Sequence, residues 1–519
     1  MTFDISKMLS PDVYSHPVDN IKLIETHASW VVLTGEYAYK IKKPVNFGFL
    51  DFSTLQKRHK FCNQELVLNR RLTSNIYLDI VGISIHQQSL RINQGETIEY
   101  AIKMQQFDQS AQLDNMLVAN QLNLTHMHAI AQLIAGFHQR TNVAAKNLDF
   151  GEPDIVNDPV IENFSQIKEH LDSSFYDKTL DSLQAWSESE YSTLKPVLIQ
   201  RKQHGFIRDC HGDMHLRNLI WLGDKSRIES GKGPMAFDCI EFNDYFRWID
   251  VINEVAFLMM DLQQKQQNQL ANRFINSYLE QTGDYAGLAV LSYYLNYRAM
   301  VRAKVAVLQL NQAADKNVHN LLTEEFESYI ALAKNYTLPK TGKLIIMRGV
   351  SASGKSTVSQ QIVDDYGVIR IRSDVERKRS FEATEAINTP NKINNGLYDE
   401  KVSELTYEKL LQLASQIIIA GFSVIVDAAF LKQNQRKAFQ DLADKLQCPY
   451  IIFELTAPDD VLRKRIRERK NDVSDADLQV LEYQLSHWQP LLKNEMKFSS
   501  TVNTDDEQDI QKLFGKLTS

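Results

Sequence analysis

Apolar and polar positions alternate in short runs from about residue 20 to 107, with turns between the runs. Residues 21–24, 30–33 and 37–42 carry the two-residue period of half-buried strands, and Thr34-Gly35-Glu36 supplies a tight turn, which predicts an antiparallel meander. A helical period interrupts them over 55–72, and strands resume at 80–83 and 99–104. From 113 to 332 the pattern is mostly helical, as in Met127-His128-Ala129-Ile130-Ala131-Gln132-Leu133-Ile134. The exception is 208–242, where short apolar runs surround Asp-, Asn- and Gly-rich turns. Asn335-Tyr336-Thr337-Leu338-Pro339-Lys340-Thr341-Gly342 breaks the helix. From 343 onward strands and helices alternate, the signature of a parallel sheet flanked by helices. The expected organisation is an α+β domain over 1–335, a linker over 336–342 and an α/β domain over 343–519. No internal repeat or low-complexity tract is visible.

A chain of 519 residues exceeds one core and agrees with two or three domains. Its hydrophobic fraction of 43% and charged fraction of 24% are ordinary for a globular protein. A net charge of −7 and a pI near 6.0 argue against a surface that coats nucleic acid. Cys62, Cys210, Cys239 and Cys448 are scattered without C-x-x-C spacing, which predicts free thiols in a reducing compartment. No basic segment followed by an apolar run opens the chain, and no apolar stretch approaches the ~20 residues needed to cross a bilayer. The expected location is cytoplasmic, with no membrane partner.

The strongest chemical signal is Gly349-Val350-Ser351-Ala352-Ser353-Gly354-Lys355-Ser356-Thr357, a complete G-x-x-x-x-G-K-[ST] phosphate loop (Walker A). It follows the apolar run 344–347 and opens an amphipathic helix, the context the motif requires. Its glycines let successive N–H groups converge on nucleotide phosphates, and the helix N-terminus adds positive potential. Lys355 would neutralise the β/γ oxygens, and the Ser356 hydroxyl would ligate Mg²⁺. Further on, strand 368–372 leads to Asp374, placed as an acceptor-side carboxylate able to take a hydroxyl proton, although an N-cap role for the next helix fits equally. Strand 423–427 ends in Asp427, the expected second Mg²⁺-side carboxylate. In the basic run 461–470, Arg463 and Arg467 share a helix face and would close over the nucleotide. This part resembles the small P-loop kinases, namely the gluconate-kinase-like, zeta-toxin-like and polynucleotide-kinase-like proteins. The resemblance implies that Asp374 faces the acceptor, and that Arg463, Arg467 and the following 472–476 belong to a lid. No second-region signature of hexameric AAA machines stands out.

A second constellation is His211-Gly212-Asp213-Met214-His215-Leu216-Arg217-Asn218, followed by Asp238 after a hairpin formed by 219–222, the turn 229–233 and a strand. An Asp, an Asn five residues on and a later Asp are the parts of a protein-kinase-like site. The first accepts the hydroxyl proton and the other two hold Mg²⁺. Lys40 in Ala38-Tyr39-Lys40 would reach the α/β-phosphates, with Lys42 on the same face as its competitor, and Glu65 on the following helix would orient that lysine. Residues ~20–300 resemble the aminoglycoside phosphotransferase and choline-kinase group, whose catalytic loop reads H-G-D-x-H-x-x-N. The resemblance implies Asp213 as base, Asn218 and Asp238 as Mg²⁺ ligands, Lys40 and Glu65 at the phosphates, and a hinge near 105–107. One departure is Glu25-Thr26-His27-Ala28-Ser29, which stands where a glycine-rich loop belongs.

Together these signals predict a bifunctional kinase that uses ATP and Mg²⁺ at two sites and acts on small-molecule hydroxyl groups. The alternatives are a non-catalytic, sensor-like first domain, or a P-loop kinase acting on a nucleic-acid end or a nucleotide-sugar.

Overall fold

The computed structural model describes residues 3–48, 50–73, 75–86, 89–171, 174–223, 232–385, 400–468 and 477–515. Two compact units emerge: Met1–Lys265 with Tyr293–Ala333, and Gln266–Ser292 with Lys334–Ser519.

The first unit opens with β1 (Lys22–Glu25), β2 (Ser29–Leu33), β3 (Tyr37–Lys42), α1 (Leu55–Asn69), β4 (Tyr77–His86), β5 (Ser89–Ile92) and β6 (Glu96–Gln105). Among the described residues these strands form a six-stranded antiparallel sheet in the order β1-β2-β3-β6-β4-β5. The strand β5 is an addition to the expected meander. Thr54 caps α1 by accepting the Lys57 N–H, and the helix buries Cys62, Glu65, Leu66 and Asn69. Gln106 fastens the strand after which it comes: its Oε1 accepts the N–H groups of Thr34 and Gly35 at 3.0 and 2.9 Å. An apolar cluster runs from Leu33, Ala38 and Met104 of the sheet to Ile220, Leu222 and Met235.

The helices α2 (Leu113–Val118), α3 (Leu124–Arg140), α4 (Pro153–His170) and α5 (Asp177–Gln203) follow. The expected irregular stretch holds β7 (Ile207–Asp209), β8 (Leu219–Leu222), β9 (Gly233–Ala236) and β10 (Trp248–Asp250). β8 and β9 pair antiparallel, so the predicted hairpin is present, while most of its turn, 224–231, lies outside the described residues. α6 (Val251–Gln264) is capped by Asp250, which also pairs with Arg201 at 2.6 Å.

The second unit takes α7 (Asn268–Thr282) from upstream of the expected linker. α8 (Leu288–Leu310) and α9 (Lys316–Tyr336) come next, and the division between units falls inside both. Then follow β11 (Leu344–Arg348), α10 (Lys355–Tyr366), β12 (Ile369–Arg372), α11 (Ser373–Glu385), α12 (Glu400–Ile419), β13 (Val424–Asp427), α13 (Gln433–Leu446), β14 (Tyr450–Thr456), α14 (Asp459–Glu468), α15 (Leu478–Ser486), α16 (Lys493–Met496), β15 (Ser499–Asn503) and α17 (Glu507–Gly515). The strands form a parallel sheet in the order β12-β13-β11-β14-β15. Every residue of the central β11 is buried, as expected of a strand covered on both faces. The fold class is the expected one in its architecture: an α+β unit built on an antiparallel sheet, followed by an α/β unit whose parallel sheet carries the phosphate loop.

The division differs from a single cut at 336–342, because Gln266–Ser292 belongs with the C-terminal residues. The reason lies in α7's polar face. Arg273 Nε donates to Asp364 Oδ1 at 2.8 Å, and Asn276 accepts the Arg370 N–H at 2.8 Å and donates to the Val368 carbonyl at 3.2 Å. The Asn276 amide thereby stands in for a neighbouring strand along the edge strand β12. All four cysteines are unpaired thiols.

Candidate phosphotransfer sites

In the first unit, β3 alternation puts Lys40 and Lys42 on one face, where both meet α1. Lys40 Nζ donates to Glu65 Oε1 at 2.7 Å and also pairs with Asp238. Lys42 donates to Glu65 Oε2 at 2.6 Å and pairs with Glu241. The two lysines differ in their surroundings: Lys42 is 1% exposed among carboxylates, whereas Lys40 bridges Glu65 to the half-exposed Asp238. Glu65 is fully buried, so it is no surface charge. Burial opposes its ionisation, but Lys40 and Lys42 outweigh that cost and hold its carboxyl below the ordinary range. Burial also opposes the charge of Lys40, and Asp238 and Glu65 nevertheless hold it protonated well above its ordinary value.

The loop after β7 carries Asp213. Asn218 Nδ2 donates to its Oδ2 at 2.8 Å and to its backbone carbonyl at 3.0 Å, while His215 Nε2 lies 3.3 Å from Oδ2. Burial works against the Asp213 carboxylate, but His215, His211 and Arg302 together lower its pKa. His211 is buried, its Nε2 is 2.9 Å from the Phe237 carbonyl, and burial holds its pKa below the usual value. Asp238 follows β9 with φ +63°, a left-handed conformation that is costly for a side-chain-bearing residue, and its N–H donates to Tyr77 Oη at 3.1 Å. The Asn218 nitrogen is committed to Asp213, which leaves its amide oxygen, and the Asp238 carboxylate, as oxygen donors of the kind Mg²⁺ takes.

Two residues outside the motif hold this loop. Glu254 Oε2 accepts the N–H groups of His211 at 2.8 Å and Gly212 at 2.6 Å, and its Oε1 lies 2.9 Å from His138 Nε2. Asp261, two turns on, accepts the Leu216 N–H at 2.9 Å. Their sequence signal is two acids seven residues apart in an otherwise apolar helix, Asn253-Glu254-Val255-Ala256-Phe257-Leu258-Met259-Met260-Asp261. Although His138, Cys210 and Glu254 bring ligand atoms within 4.8 Å of one another, both Glu254 oxygens serve the imidazole and the loop amides, so the cluster is an internal support. Glu254→Ala strands two buried N–H groups and is expected to cost about 2–5 kcal/mol. Urea melts and faster hydrogen exchange at His211 and Gly212 check it. Burial raises the Glu254 pKa less than His138, His211 and the Gly212 N–H lower it from 4.5. Its contribution is therefore full above about pH 4.5 and is lost as pH falls through the lower folded value, so the variant's deficit should shrink in acid.

In the second unit the phosphate loop joins β11 to α10. Gly349 admits no side chain, because a Cβ there would lie 2.4 Å from Ser353 Oγ and 2.7 Å from the Leu455 carbonyl. Gly354 (φ +85°) and Ala352 (φ +65°) adopt left-handed conformations that curl the backbone. Lys355 Nζ donates to the Gly349 and Val350 carbonyls at 2.9 and 2.8 Å, arching back over the loop, and Ser351 N–H donates to Gln484 Oε1 on α15 at 2.6 Å. Ser353 Oγ is buried without a partner. Ser356 and Thr357 lie in the first turn of α10. Asp427 ends β13, nearly buried, and accepts Ser359 Oγ at 3.2 Å. The hydroxyl of Ser356 and the carboxylate of Asp427 are likewise oxygen donors of the kind Mg²⁺ takes. Asp374 lies in the first turn of α11, with Arg377 3.7 Å away.

Arg463 pairs with Asp459 at 2.7 Å and Glu482 at 2.6 Å, and Arg467 is exposed. The arginine at the loop is Arg465, which donates to the Ala352 carbonyl at 3.3 Å and Thr504 Oγ1 at 2.9 Å. The cause is the apolar anchor: Leu462 and Ile466 pack with Val350, Leu481 and Trp488, and Arg465 shares their face while 463 and 467 turn away. Residues 472–476, the rest of the predicted lid, lie within 469–476, which is outside the described residues. In the first unit, a three-residue turn, 26–28, replaces a glycine-rich loop, and its His27 Nε2 lies 3.4 Å from Gln309 Nε2.

The profile of a family described as an AAA domain matches residues 344–491, from β11 and the phosphate loop past α15. An uncharacterized protein of Mycobacterium tuberculosis (strain ATCC 25618 / H37Rv) is 28% identical over 469 residues, 90% of each chain, so that likeness runs through both units. Among solved structures, the choline kinase of Cryptosporidium parvum Iowa II is 12% identical and covers 64% of this chain and 94% of its own at a TM-score of 0.41. A sugar kinase from Janibacter sp. HTCC2649 is 20% identical and covers 34% and 95% at a TM-score of 0.27.

Proposed function

We propose that this chain is a bifunctional ATP-dependent phosphotransferase with two separate ATP and Mg²⁺ sites that act on hydroxyl groups of small molecules. The observation that carries the reading is the meeting of Lys40 with Asp238, 198 residues apart, beside the Asp213–Asn218 pair, in a chain that also holds a complete phosphate loop. In the first unit Asp213 accepts the proton of the acceptor hydroxyl, kept ionised by His215, His211 and Arg302. Glu65 holds Lys40 toward the phosphates, and Asn218 and Asp238 would hold Mg²⁺. In the second unit Lys355 balances phosphate charge, Ser356 and Asp427 would hold the cation, and Asp374 faces the acceptor. Bound ATP supplies the phosphoryl group, and the protein's part is positioning and charge neutralisation.

The engagement of Arg463 and Arg465 with Asp459, Glu482 and Asp505 favours a small acceptor over a nucleic-acid end. A cytoplasmic location accords with four unpaired thiols. Among the described residues no helix is long and apolar enough to cross a membrane. The short turn between β1 and β2 favours a second reading, in which the first unit binds ligand without transferring phosphate.

Transfer of the labelled γ-phosphate of ATP to metabolite pools by the full-length protein tests both. Two sets of labelled products are expected, one lost in Lys355→Ala and the other in Asp213→Asn. A single set that survives Asp213→Asn supports the sensor, and no labelled product from the wild type sinks the proposal.

A further inference from the structure

Glu280, near the end of α7, receives two arginines of the edge strand β12. Its Oε2 lies 3.0 Å from an Arg370 nitrogen and its Oε1 3.0 Å from an Arg372 nitrogen. Burial opposes the carboxylate, but the two guanidiniums hold its pKa below the ordinary value. Arg370 reaches on to the start of α10, donating to the Ser356 carbonyl at 3.3 Å and Ser359 Oγ at 3.4 Å. Ser359 Oγ in turn donates to Asp427 Oδ2. Arg372 stands opposite Asp427 in the parallel register of β12 and β13, and Asp427 and Asp374 both favour its charge. A chain of contacts thus leads from Glu280 through Arg370 to the residues flanking Ser356 and Asp427. The helix that carries Glu280 is itself anchored by Arg273 on Asp364 and by Asn276 on the β12 backbone.

We propose that Glu280 is a positioning residue for the cation site of the phosphate loop, holding Arg370 and Arg372 so that Asp427 remains available to Mg²⁺. This rests on the reading of Ser356 and Asp427 as the Mg²⁺ residues. Two guanidiniums beside a nearly buried carboxylate form a competing counter-ion, and in a site of low effective dielectric that competition is strong. The anion that restrains them comes from residues 266–292, upstream of the expected linker, so the second site is completed by a segment that its own motif does not announce.

The test is the Mg²⁺ dependence of binding of a fluorescent ATP analogue to the full-length protein with the first site weakened by Asp238→Ala, the background for every variant below, a reading that requires no turnover. Glu280→Gln is isosteric and is expected to raise the Mg²⁺ concentration at half-maximal binding by about fivefold or more, because Arg372 turns to Asp427. Loss of folded protein would lower the amplitude without moving that midpoint. Glu280→Gln combined with Arg372→Gln is expected to bring the midpoint back to the wild-type value or below. A Glu280→Gln midpoint within about twofold of wild type overturns the proposal. If the single variant does not fold, the double variant decides alone, and a raised midpoint there overturns it. Wild-type binding indifferent to Mg²⁺ instead overturns the underlying assignment of Ser356 and Asp427, a distinguishable result.

Discussion

Lys355→Ala, made in the full-length chain with the first site silenced by Asp213→Asn, is expected to lower ATP turnover about 10³-fold, or roughly 4 kcal/mol of transition-state stabilisation. The Lys355 ammonium arches back over the loop, held by the Gly349 and Val350 carbonyls, and on the proposed reading is the compact charge that would meet the β/γ oxygens. Removing it takes nothing from the core of the unit, which is built from Ile345, Met347, Val358, Ile362 and Phe453. The melting transition is therefore expected to stay within about 1 kcal/mol of the parent. Lys355→Arg is expected to be defective as well, since a planar guanidinium does not replace a point charge on a short reach. Turnover of the alanine variant within tenfold of its parent would sink the assignment of this loop as a nucleotide site. The full chain is required, because a cut at 343 removes α7 and with it the Asp364, Val368, Arg370 and Arg372 contacts.

What could be read from residues alone follows from how local each signal is. The phosphate loop is contiguous, and its glycines, lysine and serine answer to one turn of backbone, so eight letters suffice. The parallel sheet was legible because β11, β13 and β14 are apolar runs bounded by turns and helices. The choice between Lys40 and Lys42 was not, since both lie on one face of β3. Only the arrival of Asp238 and Glu241 from 198 and 199 residues away separates them. Arg465 escaped for a related reason: the i, i+4 spacing of 463 and 467 marks a face, but Leu462 and Ile466 decide which face meets the loop. Glu254 and Asp261 are two acids in a mostly apolar helix, and their meaning resides in backbone N–H groups of another segment. α7 carries an unremarkable amphipathic pattern, and nothing in that pattern says that its polar face will meet Asp364 and the edge of β12.

Asp213 and Asp238 are expected to fail in opposite ways when replaced, and the contrast decides what the first unit does. Asp238→Ala removes a carboxylate that pairs with Lys40 and that the proposed reading assigns to Mg²⁺, at a residue already held at φ +63°. Calorimetry of ATP and Mg²⁺ with this variant, in a Lys355→Ala background that silences the other site, should show binding weakened about 50-fold or more. Asp213→Asn keeps the shape and an oxygen to accept the Asn218 Nδ2 hydrogen bond, but loses the negative charge that takes a proton. Binding should stay within about threefold while transfer falls about 10²–10⁴-fold, the range of a general base. Because the 3.3 Å contact of Asp213 Oδ2 with His215 Nε2 is altered as well, a small loss of stability accompanies it. Retained transfer in Asp213→Asn would move the base elsewhere. If the wild-type first site binds no nucleotide at millimolar concentration, the kinase-like unit is not a second catalytic centre. The three-residue turn between β1 and β2 is then the physical reason, since it offers no ring of N–H groups to close over a triphosphate.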